Sequence, residues 1–523
     1  MNLKNEKNKI SMPRIERYQG VDTLIVNEEP FIILGGEIHN SSASNLDFME
    51  AEVWPYLKGM NLNTLIVPVY WECIEPQEGD FDFSLVRGIV ERARQEGIKI
   101  VFLWFGLWKN AESMYVPQWM KTDQEKYFPV CTYYGKPINT ISPLCQEAVM
   151  KDARAFQELM KYIKKIDDRE HTVIMVQIEN EIGLLGTERD YGFEANKSFN
   201  QAVPSVISEH FHVEGTWKEA FGENAEEYFS AYYFAKAIEY IAQAGKKIYE
   251  LPFYVNAWLE QFPWRPGTYP SGGPVMKMKE IWKLITPSIA FMAPDIYVSY
   301  APKVMDEYTH LDNPLFIPEI RKDAVVATYA LYAVGGCHAI GIAPFGIEEL
   351  KMPPEKIDKI PSHVLEALNI DITAFDVEGS DKYLSKSYEI INQIRPIYYQ
   401  KRGTQNLQAF IRKNSEDLGV VLSFDKYDMQ INYKRKERYQ PESGGIVIQI
   451  GEDEFYIIGT SFNFQFLPKV GSYNTVNYVS VEEGQIKDGI WMSSRILNGD
   501  ERMHLKLKDM PGILRVKLCQ SNK

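Results

Sequence analysis

Two short stretches end in acidic residues where a strand would present them to open space. MVQIENEIG (175–183) begins as an apolar β run and closes on Glu179, Asn180 and Glu181, and NPLFIPEI (313–320) closes on Glu319. Two carboxylates facing one another across an apolar-walled cleft are the apparatus of glycoside hydrolysis. One, kept protonated, donates to the leaving oxygen while the other attacks or activates water, with a separation of about 5 Å giving retention and a wider one inversion. A single strand-end glutamate has a plainer reading, as the partner of a mouth arginine or a metal ligand. Two of them, one after Asn and one after Pro, favour chemistry.

Such a pair needs a scaffold that closes, because Glu181 and Glu319 are far apart in the chain. Eight apolar runs rich in Val, Ile and Phe alternate with longer amphipathic segments: 31–38, 63–70, 98–105, 171–178, 251–258, 287–297, 313–320 and 338–345. The best intervening helices are 47–60, 84–97, 145–166 and 225–250. This alternation predicts an α/β chain folded as a (β/α)8 TIM barrel, whose reacting groups sit at the C-terminal ends of the strands. A doubly wound sheet would want a Gly-rich phosphate turn after an early strand, and none is present. Strict alternation in the fourth strand turns Ile174, Val176 and Ile178 to the helices and Gln177, Glu179 and Glu181 to the barrel interior. Glu181 then lies nearest the mouth and Glu179 one pleat deeper, in a supporting hydrogen-bond role. Asn180 faces away unless the strand twists or bulges at its tip. Two long connections, 185–222 and 259–274, are expected to be functional loops.

Beyond residue 345 the pattern changes to a helix over 380–400 and then to short strands separated by turns, which predicts a β-sandwich or jelly-roll. The chain is thus divided into a barrel with an N-terminal extension (1–375), a connecting helix (376–405) and a β-rich C-terminal domain (406–523). A formal net charge of -14, with Lys and Arg scattered, excludes a nucleic-acid surface and suits a neutral polar ligand. The five cysteines form no CxxC pair, so we expect reduced thiols and no structural disulfide. The charged N-terminus has no apolar run behind it and no 18-residue apolar stretch follows, which predicts no secretory signal, no membrane span and a cytoplasmic location.

VQIENEIG resembles the acid/base motif of the glycoside hydrolase family 35 β-galactosidases, members of a clan of retaining barrel enzymes. In that clan the acid/base follows the fourth strand behind an Asn, and the nucleophile follows the seventh. The resemblance implies that Glu181 is the proton donor, that Asn180 holds the sugar 2-hydroxyl, and that Glu319 is the nucleophile. GGEIHNSSAS (35–44), YWECIEPQEGDFDF (70–83), WFGLWKNAESMYVP (104–117) and FYVNAW (253–258) are similar to a bacterial branch found among xyloglucan-degrading β-galactosidases. Asn110 and Ala111 resemble the strand-three pair that holds galactose, and Tyr297 stands where clan members position the nucleophile by hydrogen bond. Two places depart from better-known members: Pro68 stands where many have Tyr, and HNSSAS lacks an Arg.

Other candidates come from position. Trp108, past the predicted end of strand three, offers a flat wall to a sugar, whereas Trp104 lies inside the strand and reads as packing. Asn256 closes strand five, Trp264 and Tyr269 on the loop behind it suit outer subsites, and Asp295 and Tyr297 end strand six. Tyr70, Glu75 and His39 lie at strand tips. His39 has a second reading as a core histidine, and Glu75 as a residue that fixes its own loop. The resemblance implies a retaining exo-β-galactosidase acting on a small oligosaccharide, possible sources including xyloglucan, without metal or organic cofactor. Two alternatives stay open: the same chemistry on a β-glucoside, β-fucoside or β-glucosaminide, and a carbohydrate-binding barrel without catalysis.

Overall fold

Strands that are apolar on both faces need cover on both faces, and a ring of helices around a closed barrel supplies it. In the computed structural model, which describes residues 11–469 and 474–522, eight parallel strands close into a barrel. They are Ile33–Glu37, Thr64–Tyr70, Lys99–Lys109, Val173–Asn180, Phe253–Trp258, Phe291–Ile296, Phe316–Ile320 and Gly341–Pro344, here strands one to eight. Each falls on one of the predicted runs. The ring closes where Gly341 and Ile342 of strand eight pair with Ile33 and Leu34 of strand one. Every residue of strand four is buried, as its uninterrupted apolar run requires. The first ten residues, read above as charged rather than as a secretory leader, lie outside the described residues.

Three predicted helices form nearly as read: Ser84–Glu96, Gln146–Asp167 and Ala225–Lys246. The first ends at Gly97, whose left-handed backbone (φ 69°) returns its amide to the carbonyls of Ala93 and Arg94. The helix predicted over 47–60 is broken instead. A short α turn, Leu46–Phe48, gives way to a π turn, Met49–Val53, before Trp54–Leu57. Pro55 is the reason, because its ring cannot approach the carbonyl four residues back and it has no N–H to give.

The long connection after strand four holds three short helices, Phe193–Phe199, Ser205–Phe211 and Trp217–Phe221. The last opens with a capping box between Thr216 and Glu219. No helix among the described residues is long and apolar enough to cross a membrane, and all five cysteines are free.

Helix Ser380–Lys401 leads from the barrel to a six-stranded and a four-stranded antiparallel sheet. The Tyr388 hydroxyl lies 2.9 Å from the Gly35 carbonyl and 3.1 Å from that of Ile342, at the seam between strands one and eight. The two sheets enclose a core of their own that includes Phe410, Tyr427, Phe455, Phe462, Phe466 and Leu514. Residues 454–468 form two strands in different sheets, Glu454–Thr460 and Phe462–Pro468. Ser461 between them has φ 60°, which turns the chain from one sheet to the other, and its hydroxyl donates to Asp509 at 3.0 Å.

Candidate active site

Strand four does not keep its alternation to the end. Glu179 (φ 59°) and Glu181 (φ 47°) both take the left-handed conformation, which bulky residues adopt at a cost. Together they turn the Asn180 amide between them toward strand seven, where Nδ2 donates to Glu319 Oε1 at 3.0 Å. This is the departure from strict alternation that a functional Asn180 required.

Glu179 correspondingly leaves the interior face, which corrects its expected place one pleat below Glu181. Its carboxyl accepts the amides of Leu107 (3.1 Å) and Trp108 (2.7 Å) on strand three. Beside it lies Asp152 of the helix Gln146–Asp167, which accepts from Leu107 N at 2.9 Å and Trp104 Nε1 at 2.7 Å. Burial, then the Asp152 charge, pushes Glu179 well above the carboxylate range. Glu179 therefore keeps the proton that the two buried acids share.

The pair pins a bulge. Trp104 pairs with Ile178, yet Lys109 pairs with Asn180, so strand three loops out between those points. Gly106 lies in the loop, where a Cβ would sit 2.4 Å from Trp104 Nε1 and 2.5 Å from both Asp152 Oδ2 and Glu179 Oε1. Beyond the bulge the amides of Asn110 and Ala111 donate to the carbonyls of Asn180 and Glu181, each at 3.1 Å. Lys109 arrives beside them, and its Nζ donates to Oδ1 of Asn180 at 2.9 Å and to Oδ1 of Asn110.

Strands five to seven complete the mouth. Asn256 accepts the Glu181 amide at 2.9 Å and donates to Asp295 Oδ2 at 2.6 Å. Tyr297 donates to Glu319 Oε2 at 2.8 Å, and Asn256 Nδ2 also reaches Glu319 Oε1 at 3.5 Å, so Oε1 has two donors and Oε2 one. One oxygen each from Glu181, Asp295 and Glu319 lies within 4.8 Å of the others. This is the trio that could share a cation among the described residues. It is also a crowd of like charges. Burial first, and the Glu319 charge second, push Glu181 up to about 8 against the opposing pull of Lys109. Burial and the charges of Glu319, Glu181 and Glu37 push Asp295 well up as well.

Of the residues singled out in the sequence, Glu181, Asp295, Glu319, Asn110 and Tyr297 line one cleft of about 190 Å³. Asn180 and Asn256 are fully buried behind it, bonded to its carboxylates. Four others do not line it. Trp108 lies within a strand three that runs on to Lys109; it is buried, donates to the Ile141 carbonyl at 3.0 Å and packs edge-on against Phe234. Tyr70 accepts the Ala43 amide and stacks on Tyr115. Glu75 fixes its loop by accepting from Trp71 Nε1 (2.7 Å) and Gly79 N (2.8 Å). His39 is partly exposed, with Nε2 2.6 Å from Glu349 and its ring edge-on to Phe345. Tyr269 is also buried, donating to Glu227, whereas Trp264 is exposed.

Sequence reasoning missed Lys109 and the segment after strand eight that brings Leu368, Asn369, Ile370 and Phe375 to the cleft. A lysine ending an otherwise apolar strand was the available signal for the first.

Residues 23–253 match the family model for glycosyl hydrolases family 35. Over that span the chain is similar to the family 35 glycosyl hydrolases. The family 35 match includes Glu181 and stops before Glu319, whose place rests on the geometry above. Residues 384–507 match a domain of unknown function (DUF5597). No curated protein sequence matches the chain.

Among solved structures the chain is similar to the β-galactosidase from Bacillus circulans sp. alkalophilus. That pair has 10% identity and a TM-score of 0.49 over 93% of this chain and 99% of the other. For the β-galactosidase from the psychrophilic Marinomonas ef1 the values are 10% and 0.47, over 69% of this chain and 60% of the other. For the catalytic domain of β-amylase from Paenibacillus polymyxa they are 9% and 0.47, over 61% and 94%. The chain thus spans about 60% of the Marinomonas enzyme.

The packing around Gly106 gives a test. Gly106→Ala should lower stability by roughly 1–3 kcal/mol through overpacking. Because the bulge carries Lys109 and Asn110, its kcat/KM on an aryl glycoside should also fall at least about tenfold. Thermal melting and initial-rate assays measure the two effects, and a fully active, equally stable variant would refute the role given to the bulge.

Proposed function

We propose that the chain is a retaining exo-β-galactosidase. Glu319 attacks the anomeric carbon as the bond to the aglycone oxygen breaks, and the Glu181 proton passes to that oxygen. Glu181 then takes a proton from water, whose oxygen displaces Glu319 from the sugar. The observation that carries this reading is the closeness of the Glu181 and Glu319 carboxylates, with oxygens within 4.8 Å of one another. Retaining enzymes have about 5 Å between these groups, and inverting ones roughly 6.5–9.5 Å.

The two environments support opposite roles. Glu319 accepts hydrogen bonds on both oxygens, as an attacking carboxylate held in place would, and burial beside the Glu319 charge favours a protonated Glu181. Once Glu319 is glycosylated its charge is gone, and the Glu181 proton becomes easier to lose, as the second step needs. The same division of labour argues against a barrel that only binds sugar, since a binder has no use for two carboxyls in opposed states. The steps call for no metal or organic cofactor.

The small cleft favours one terminal sugar over an internal stretch of polymer, because sites for larger ligands enclose roughly 300–1,000 Å³. Gln261 lines the cleft, and on the same loop Phe262 and Trp264 are 75% and 57% exposed. They give an aglycone a flat apolar surface, which suits a β-galactosyl residue carried on an oligosaccharide such as a xyloglucan fragment. Five free thiols suit a reducing compartment, so we place the reaction in the cytoplasm.

Glu319→Gly should abolish hydrolysis of 4-nitrophenyl β-galactoside, and azide should partly restore turnover with an inverted galactosyl azide as product; undiminished hydrolysis would remove Glu319 from the mechanism. The wild-type kcat/KM should fall as pH rises through about 8, where Glu181 loses the proton it must donate. A basic limb well below that value would contradict the assignment. Trp264→Ala should lower kcat/KM on galactosyl oligosaccharides about 2- to 10-fold, from the roughly 0.5–1.5 kcal/mol of an aromatic contact. The nitrophenyl galactoside should be little affected, and equal effects on both substrates would exclude an aglycone contact.

A further inference from the structure

Lys109 is 4% exposed, closes strand three and lines the cleft. Its ammonium donates to the two amide oxygens of Asn110 and Asn180 rather than to a carboxylate, and it lies 5.2 Å from the centre of the Phe105 ring. A buried ammonium with only neutral partners is costly to keep. Four carboxyls share its surroundings: Glu37 on strand one, Glu181 after strand four, Asp295 on strand six and Glu319 on strand seven. Tyr297 and Tyr254 lie among these groups, Tyr115 is within the field of Lys109, and Glu348 contributes from the turn after strand eight.

We propose that Lys109 is a positioning residue of the reaction, locking the Asn180 amide so that it donates to Glu319 and supplying the positive charge against which the site's carboxyls divide their protons. This inference rests on the glycosidase reading above. The lock follows from the asymmetry of an amide, which accepts only through oxygen and donates only through nitrogen. With Oδ1 taken by the ammonium at 2.9 Å, Nδ2 is the atom left for Glu319 at 3.0 Å. Flipping the amide would set NH₂ against NH₃⁺ and oxygen against carboxylate. Two unfavourable contacts would replace two favourable ones.

The charge acts in parallel. The Lys109 field pulls Glu37, Glu181 and Asp295 downward, against the burial and mutual repulsion that push them up. An ammonium has three N–H groups, and the two amides use two. The third is left for a sugar hydroxyl in the cleft.

Lys109→Met and Lys109→Arg, compared with the wild type on 4-nitrophenyl β-galactoside across pH, test this. In Lys109→Met, kcat should fall on the order of 100-fold, as for loss of one preorganised donor. The basic limb of kcat/KM should move up by roughly one pH unit, as for loss of a nearby opposite charge. Lys109→Arg keeps the charge, so its limb should stay at the wild-type position while kcat is reduced by the altered geometry. Thermal melting separates these effects from misfolding. A Lys109→Met enzyme that loses activity only in proportion to its folded fraction, with an unmoved limb, would overturn the proposal. If Lys109→Met does not fold, a shifted limb in Lys109→Arg overturns it and an unmoved one supports it. A wild type inactive on every aryl glycoside would instead defeat the glycosidase reading.

Discussion

The mouth of this barrel depends on one buried pair of acids, Glu179 and Asp152. Neither residue lines the cleft, yet their oxygens receive the backbone amides of Leu107 and Trp108 and the Trp104 indole. Those amides belong to a bulge that has left the sheet ladder, so without the two acids they would be buried and unpaired. Leaving such groups unmade costs about 1–3 kcal/mol each. The bulge in turn brings Lys109, Asn110 and Ala111 to the tip of strand four, where their contacts hold Asn180 and Glu181. A second-layer acid pair thus sets the position of groups on two strands at once.

Electrostatics then sorts what geometry has gathered. Glu37, Glu181, Asp295 and Glu319 crowd a volume with one lysine, too little positive charge to keep them all ionised at low dielectric. Hydrogen-bond donors are unevenly spread among these acids. Glu319 accepts from Asn180 and Tyr297, Asp295 accepts from Asn256, and Glu37 has no hydrogen-bond partner on either oxygen. Glu181 and Asp295 both reach the cleft, and burial among like charges pushes both up, Glu181 to about 8.

Much of this was legible in the sequence for a physical reason. The eight strands are buried on both faces and so read as continuous apolar runs, and glutamates at the ends of such runs have few other places to go. The errors cluster where a local rule met a tertiary one. Trp108 was placed beyond strand three because the bulge lengthens that strand invisibly, and Glu179 was assigned inward because alternation says nothing of a left-handed residue. Lys109 was not singled out because strand three was read to end at residue 105, and only the bulge carries the strand on to Lys109. The segment at 368–375 carries no local sign that it folds back over the mouth. The break in the first helix was readable from Pro55.

The Tyr388 hydroxyl touches carbonyls of the first and last strands where the barrel closes. Yet Tyr388 belongs to the stretch matched by the second family model (384–507), and the first model ends at residue 253. The segments matched by the two family models therefore do not coincide with the pieces that pack together. An exchange of the C-terminal module would also have to preserve a seam in the barrel.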